Sequence, residues 1–448
     1  MLQQIFFLLV TAGVFTWAFR RFDQVWQNIR LGKSESISGD RGTRWRNVLL
    51  VAFGQRKMFK EWGPALFHLF IYAAFLLTQV ELLEILVDGA TGRHRVFAEP
   101  LGGFYTFVIG FIEVLSLLAF GATVVFLARR NLLKIPRFVK SELDGWPRLD
   151  ANLILLGEIV LIVGIFSMNG ADVLLQRLDP AHYPDTGTLP ISHWLGPALF
   201  GSMPASALAG IERFGWWLHI LTVYAFLLYL PVSKHLHIAL AFPNVYFSRL
   251  KPRGEMENMP EIMNEVKGMM GLIEVPPAAG DLPEFGANDV FGLSWKTLLD
   301  AYACTECGRC TAQCPANLTG KKLSPRKVMM DIRDRVEEVA ANLASGDAKY
   351  IDPASGASAL SPATYTDGLT LFDRISPEEL HACTTCQACV EACPILIDPL
   401  SPILALRRYE ILTASSGPAA WNPMFTSIEN NGAVWQVSEA RTAWIGRT

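Results

Sequence analysis

Apolar residues gather in five long stretches, near 3–19, 63–87, 104–128, 151–170 and 214–233. Each approaches the roughly 20 helical residues that cross a hydrocarbon core, so the pattern predicts five membrane-spanning helices in the N-terminal half. The first is followed by Arg20 and Arg21 rather than preceded by a basic segment, and it lacks a small-residue cleavage site. It reads as a retained span, not a signal peptide. Between the spans the cations alternate. The first loop carries ten Lys and Arg from Arg20 to Lys60 and the third carries six from Arg129 to Arg148, whereas the loops near 88–103 and 171–213 are poor in both. This asymmetry predicts a multi-pass protein of the cytoplasmic membrane, with its N-terminus outside and everything after residue 233 in the cytoplasm.

Beyond residue 233 the pattern changes. The segment "RKVMMDIRDRVEEVAANL", 326–343, predicts a helix entered through Ser324 as N-cap and Pro325 at the first helical position. The Gly, Ser, Ala and Pro of 345–368 predict a surface loop, and a second short helix starts at Ser376 and Pro377. Composition agrees with a partly embedded chain: of 448 residues, 51% are hydrophobic and only 18% charged. A net charge of −3, with the cations in short loops, gives no footprint for nucleic acid. No glycine-rich dinucleotide fingerprint is present, since the glycines of "GLIEVPPAAG" are not spaced that way, so neither flavin nor nicotinamide is assigned.

All eight cysteines fall in "ACTECGRCTAQCP", 303–315, and "ACTTCQACVEACP", 382–394. None is left for a structural disulfide, and thiolates that bind clusters want a reducing compartment. In each motif CxxCxxC wraps one cubane, and the fourth cysteine, followed by proline, ligates the other. The expected ligand sets are Cys304, Cys307, Cys310 and Cys393 for one [4Fe-4S] cluster, and Cys383, Cys386, Cys389 and Cys314 for the second. Structural zinc, the alternative, has no need of fourth cysteines placed in duplicate. His381, two residues before Cys383, reads as a surface or supporting residue.

Ionisable residues inside predicted spans are the next candidates. His68 lies early in the second span; His219 lies in the fifth, with His235 and His237 just after it. Counted along one helix, His219 and His237 are five whole turns apart and share a face, and His235 falls off it. Spans two and five run antiparallel, which levels His68 with His237 near the cytoplasmic side. Two such imidazoles suit the axial positions of a haem b; the alternative is a pair of structural histidines. Glu113 and Glu158 are the most intramembrane carboxyls and are candidates for quinone or proton contact, against a helix-packing role.

The membrane half resembles the haem-b gamma subunit of respiratory nitrate reductase and the membrane subunits of heterodisulfide reductases, on "LFHLFI", on the His219 to His237 spacing and on Pro231 between them. The resemblance implies haem ligation by His68. It also implies a second ligand at position 78, where this chain has Thr78, so His219 lacks its expected partner and a second haem stays open. "CGRCTAQCPAN", "LSPRKVM" and the second motif resemble the ferredoxin module of heterodisulfide-reductase-like proteins. The whole order resembles membrane-anchored electron-transfer flavoprotein:menaquinone oxidoreductases. The implied organisation is mainly α: a five-helix transmembrane haem-b domain (1–240), a linker (241–295), a cytoplasmic ferredoxin-like two-cluster domain (296–412) and a C-terminal tail for a partner (413–448). Fused family members continue into cysteine-rich CCG modules. Here the chain stops at Thr448, and the expectation is a CCG iron–sulfur partner subunit on a separate chain. The implied activity is that of a quinone-linked oxidoreductase subunit, passing electrons from electron-transfer flavoprotein or another cytoplasmic donor through clusters and haem to quinone. A thiol–disulfide complex of the heterodisulfide or sulfite-reduction type, and a redox anchor or sensor without turnover, are the alternatives.

Overall fold

The computed structural model describes residues 1–256, 258–274, 284–435 and 442–446. Among them there is no β-strand, only two isolated bridges. Five helices are long and apolar enough to cross a membrane. They are α1 (Leu2–Ile29), α2 (Trp62–Thr91), α3 (Gly103–Asn131), α4 (Trp146–Leu178) and, after a short helix α5 (Ser192–Phe200), α6 (Ala205–Tyr229). Each overruns its predicted length. In α4 the reason is visible: Asp172, whose charge marks the predicted exit, is fully buried and accepts hydrogen bonds from His94 (2.8 Å) and Gln176 (3.0 Å). Small residues set a close crossing. A Cβ on Gly215 of α6 would sit 2.6 Å from the Met168 nitrogen of α4, so only glycine permits this approach.

At Pro231 the helix cannot continue, because proline lacks the N–H that the ladder needs. A 3-10 turn (Leu230–Val232), extended Ser233 and a second 3-10 turn (Lys234–Leu236) lead into α7 (His237–Tyr246). Asp150, near the start of α4, pins this break by accepting from Tyr229 Oη (2.6 Å), Ser233 Oγ (2.8 Å) and the Lys234 N–H (3.0 Å).

The cysteine-bearing part packs α8 (Trp295–Ala303), α9 (Pro325–Ser345) and α10 (Leu400–Arg408) around the two cysteine loops. Ser324 caps α9 by accepting from the Lys327 N–H, and Ser376 with Glu379 closes a capping box on the helix Pro377–His381, where the sequence places both starts. Arg335 of α9, fully buried, clamps Asp289 (2.7 Å), Asp367 (2.6 Å) and Glu338 (3.0 Å). Val25 and Ile29 of α1, with Leu236, enter the same hydrophobic core as Leu298, Val328, Ile332 and Ile403. Asn28 of α1 donates to Tyr302 Oη at 2.9 Å. The cysteine loops are therefore held against the bundle by a shared core. Residues 275–283, within the expected linker and the glycine stretch above, and 436–441 and 447–448 of the tail lie outside the described residues.

Candidate functional site

The two motifs fold alike. Glu306 and Gly308 in the first, and Thr385 and Gln387 at the matching positions of the second, all adopt left-handed backbone (φ 55, 72, 57 and 60°). These turns curl each loop and start the short helices Arg309–Ala312 and Ala388–Ala392. Gly308 is needed twice over, since Arg326 Nη1 lies 2.5 Å from where its Cβ would be. Cys304, Cys307, Cys310 and Cys393 line one cavity, and Cys314, Cys383, Cys386 and Cys389 line another. Each fourth cysteine thus joins the other motif's three. No three His, Cys, Asp or Glu side chains among the described residues converge as a single ion requires; each set surrounds a space instead. Burial pushes the Cys304, Cys389 and Cys393 thiols up to about 12, so as thiolates these sulfurs would need a positive charge such as iron would supply. The Ile397 N–H points to Cys393 Sγ (3.3 Å) and the Thr385 N–H to Cys383 Sγ (3.4 Å), a donor arrangement that suits ligating thiolates.

The first cavity, about 380 Å³, falls in the size range of cofactor sites. It runs from the four cysteines to His68, His235 and His237, and it takes in Glu158 and Tyr72. Arg129, Arg130, Arg137, Arg309, Arg326 and Lys234 also line it, a cationic complement for anionic cofactors. Ser233 and the turn after Pro231 redirect the chain, so counting turns from His219 does not apply at 237: His235 faces the same cavity instead of pointing off it.

The ring nitrogens separate the three histidines. His68 Nδ1 is 3.0 Å from Gln55 Oε1, and His237 Nδ1 is 3.0 Å from the Lys234 carbonyl. Nδ1–H donation there leaves each Nε2 with its lone pair, the usual support for a ligating histidine. Burial keeps His237 below its ordinary pKa and hence neutral. His235 Nδ1 is buried with no hydrogen-bond partner among the described residues, and burial with His237 and His68 nearby pushes its pKa down to about 3. His68 and His237 thus have the support that a ligating histidine would need, and His235 lacks it.

His219 lies apart, buried between α4 and α6 with Nδ1 3.5 Å from the Leu161 carbonyl. Thr78 donates to its own helix at Phe75 O (3.2 Å). These two do not fit a second axial pair. Glu113 is also remote from the cavity: it accepts from the Ile191 (3.0 Å) and Ser192 (3.1 Å) N–H groups, from Ser192 Oγ and from Asn169, stabilising the start of α5. Glu158 and Glu113 are thus separated, the former at the cavity and the latter at a helix terminus. Four supporting residues are not picked out by sequence reasoning: Gln55, Asp150, Lys234 and Glu306. Lys234 forms a buried ion pair with Glu306, whose other oxygen meets Arg333 at 2.9 Å, fastening the first cysteine loop to the turn that carries His235 and His237. Their signal is position: Lys234 precedes the histidines and Glu306 sits inside CxxC.

Residues 303–396 match the 4Fe-4S dicluster domain family. The chain is 28% identical over 432 residues, 93% of its length and 57% of the relative's, to a Bacillus subtilis protein named "Probable iron-sulfur-binding oxidoreductase FadF". It is 26% identical over 452 residues, 98% of its length and 58% of the relative's, to "EtfAB:quinone oxidoreductase" of Syntrophomonas wolfei. A "Probable membrane-anchored ferredoxin" of Chromohalobacter salexigens matches 141 residues at 35% identity, covering 30% of this chain and 20% of that one. The chain spans somewhat over half the length of the first two. No solved structure matches it significantly. Five helices of membrane-crossing length among the described residues, together with the match to the 4Fe-4S dicluster domain, define a membrane-associated iron–sulfur protein.

Proposed function

We propose that this chain passes electrons between a soluble redox partner and a membrane quinone. Cys304, Cys307, Cys310 and Cys393 hold one [4Fe-4S] cluster, Cys383, Cys386, Cys389 and Cys314 the second, and His68 and His237 the iron of one haem b. When bound, these groups supply one-electron relay positions, and quinone exchanges two electrons with two protons. The observation that carries the reading is the single cavity shared by the first cysteine set and the histidines. It supports a cluster and a haem held side by side with no domain movement required. Cys386, exposed on the second set, is the side from which a partner delivers electrons. Gln55 and the Lys234 carbonyl hold the two imidazoles in one tautomer. Glu158 and Tyr72, both lining the cavity, are the groups that offer or accept protons there.

The relative named EtfAB:quinone oxidoreductase favours an electron-transfer flavoprotein as donor; a CCG-type iron–sulfur subunit between them is part of the proposal and rests on the family resemblance alone. In this reading residues 1–240 are the membrane domain and 296–412 the cluster domain on the cytoplasmic side, joined through 241–295, and the tail from 413 meets the partner. Chemically reduced protein mixed with a short-chain quinone tests the core of it. Cluster and haem signals reoxidise together in the wild type, whereas His68→Ala and His237→Ala lose the low-spin haem signal and leave the clusters reduced. Clusters that reoxidise at the wild-type rate in both variants would overturn the pathway.

A further inference from the structure

The end of the bundle away from the cysteine loops buries a second set of ionisable groups. Arg95, in the turn between α2 and α3, donates to Tyr105 Oη (3.2 Å) and to Asn169 Oδ1, and its guanidinium lies 3.4 Å from Asp172, 3.8 Å from Glu81 and 3.9 Å from Glu84. Six carboxyl groups are buried around it: Glu81, Glu84, Asp88, Glu113, Asp172 and Glu212. Four are satisfied. Glu84 accepts from Tyr105 (2.7 Å) and the Phe97 N–H (3.0 Å), and Asp88 from the Arg95 (2.8 Å) and Val96 (3.0 Å) N–H groups. Glu113 takes the start of α5, and Asp172 takes His94 and Gln176.

Glu81 and Glu212 differ. They are 1% and 0% exposed, and among the described residues no oxygen of either has a hydrogen-bond partner. Glu81 faces Arg95, Glu84, Glu113 and Asn169, and its one cation is already shared with Glu84 and Asp172. Glu212 faces Asp172, Arg95 and Tyr183, with His94 Nδ1 at 3.8 Å and the half-exposed Arg213 at 3.7 Å. Six carboxyls around one buried guanidinium leave negative charge uncompensated, and a buried unpaired carboxylate costs several kcal/mol, so such a group keeps its proton instead. His94 connects the set to water. Its side chain is 16% exposed, Nε2 meets Asp172 at 2.8 Å, and Nδ1 faces Glu212.

We propose that this end of the bundle is a proton-exchange site, in which Glu81 and Glu212 hold protons inside the bundle and His94 passes them to and from the adjoining water. An imidazole with a carboxyl at each nitrogen takes a proton on one side and releases it from the other, so no net charge is left buried. Use of these protons to balance the two taken up when a quinone is reduced rests on the function proposed above; their retention and exchange do not.

Infrared spectra of protein carrying 13C-labelled glutamate, in detergent at neutral pH, test the site. The carboxylic C=O stretch of protonated glutamate is expected in the wild type, with part of it lost in each of Glu81→Gln and Glu212→Gln. On transfer to heavy water, His94→Phe slows the isotope shift of these bands by roughly 100-fold, the low end of what a positioned proton-transfer group contributes. Absence of any protonated-glutamate band in the unmutated protein, which needs no variant to fold, overturns the proposal. Bands unchanged in both glutamine variants overturn it too, and isotope exchange at the wild-type rate in His94→Phe overturns the route. In His68→Ala the same bands are expected to persist, so failure of the haem assignment and failure of the proton site are read separately.

Discussion

Gln55→Ala tests the haem assignment through a residue that touches no iron. Gln55 is buried, and its Oε1 lies 3.0 Å from His68 Nδ1. Without it the imidazole loses the acceptor that fixes its tautomer and ring orientation. Removing such a partner of a ligating histidine typically costs 10–100-fold in metal affinity, which at about 1.4 kcal/mol per tenfold is roughly 1.4 to 2.8 kcal/mol. That range reaches above the roughly 0.5 to 1.5 kcal/mol that a lost neutral hydrogen bond costs on its own, so an effect near its top marks a ligand and not merely a packed histidine. The assay is titration of haem into cofactor-free protein, followed by the Soret band, with the low-spin spectrum recorded at saturation. Gln55→Ala is expected to weaken binding by that factor and keep a low-spin spectrum. Gln55→Glu, which puts a carboxylate against Nδ1–H, makes the imidazole more basic and lowers the haem potential. His235→Ala leaves affinity and spectrum in place, because His235 Nδ1 has no partner among the described residues to orient it. Wild-type affinity in Gln55→Ala, together with a low-spin signal lost in His235→Ala but kept in His68→Ala, would show that the wrong histidine has been chosen.

Other outcomes follow from the same geometry. Cys314→Ser should remove the electron-paramagnetic signal of the cluster built on Cys383, Cys386 and Cys389 and spare that of its own motif, since Cys314 lines the second cavity; loss of only the first-motif signal would reverse the pairing. Arg335→Met strands Asp289 and Asp367 against a buried methionine and should destabilise the cysteine-bearing part by about 3 to 5 kcal/mol, read as a lowered melting temperature with iron loss. Burial pushes the Asp367 carboxyl up, but hydrogen bonds from Arg335, the Leu369 N–H and Tyr365 outweigh it and leave the group at about 2, below its ordinary 3.8. Its contribution is therefore present above pH about 3.8 and is lost as the pH falls through 2; Glu338, against its burial, is also held below its ordinary 4.5 by Arg335 and adds to this, so the wild-type advantage over Arg335→Met should shrink as the pH falls below about 4.5. A reporter fused after Thr448 should be active only in the cytoplasm, and one inserted near Asp185 only outside.

How far the sequence reaches depends on the range of the interactions involved. The five spans, the caps at Ser324 and Ser376 and the paired cysteine loops are encoded in contiguous residues, and the hydropathy pattern and turn chemistry suffice to find them. The placement of His235 is not, because it depends on how Asp150, from another helix, pins the chain once Pro231 has broken it. Helix counting assumed a regular path there. Glu113 likewise looks isolated on its own helix; its role is set by the N-terminus of α5, which lies in what hydropathy marks only as a loop. The distal carboxyl cluster is not among the sequence expectations, although part of its signal is there. Glu81, Glu84 and Asp88 recur at i, i+3 and i+7, one face of a helix, and three acids on one face of a membrane span signal a buried polar seam.

The two polar regions of the bundle make opposite use of burial. At the cavity, three of the six cationic side chains are paired, Arg137 with Glu61, Arg326 with Glu142 and Lys234 with Glu306, while Arg129, Arg130 and Arg309 line it with no ion pair among the described residues. That excess of positive charge favours thiolates and other anionic groups, and it favours the electron-rich state of whatever they hold. At the far end the excess is negative, with six carboxyls to one buried guanidinium, which favours bound protons. Glu158 and Asn169, eleven positions apart on α4, stand for the two regions and are separated by about 16 Å along the helix axis. On the function proposed above, electrons are stabilised at one end and protons retained at the other, with apolar helix between, the charge layout that exchange with a two-electron, two-proton carrier requires of its protein.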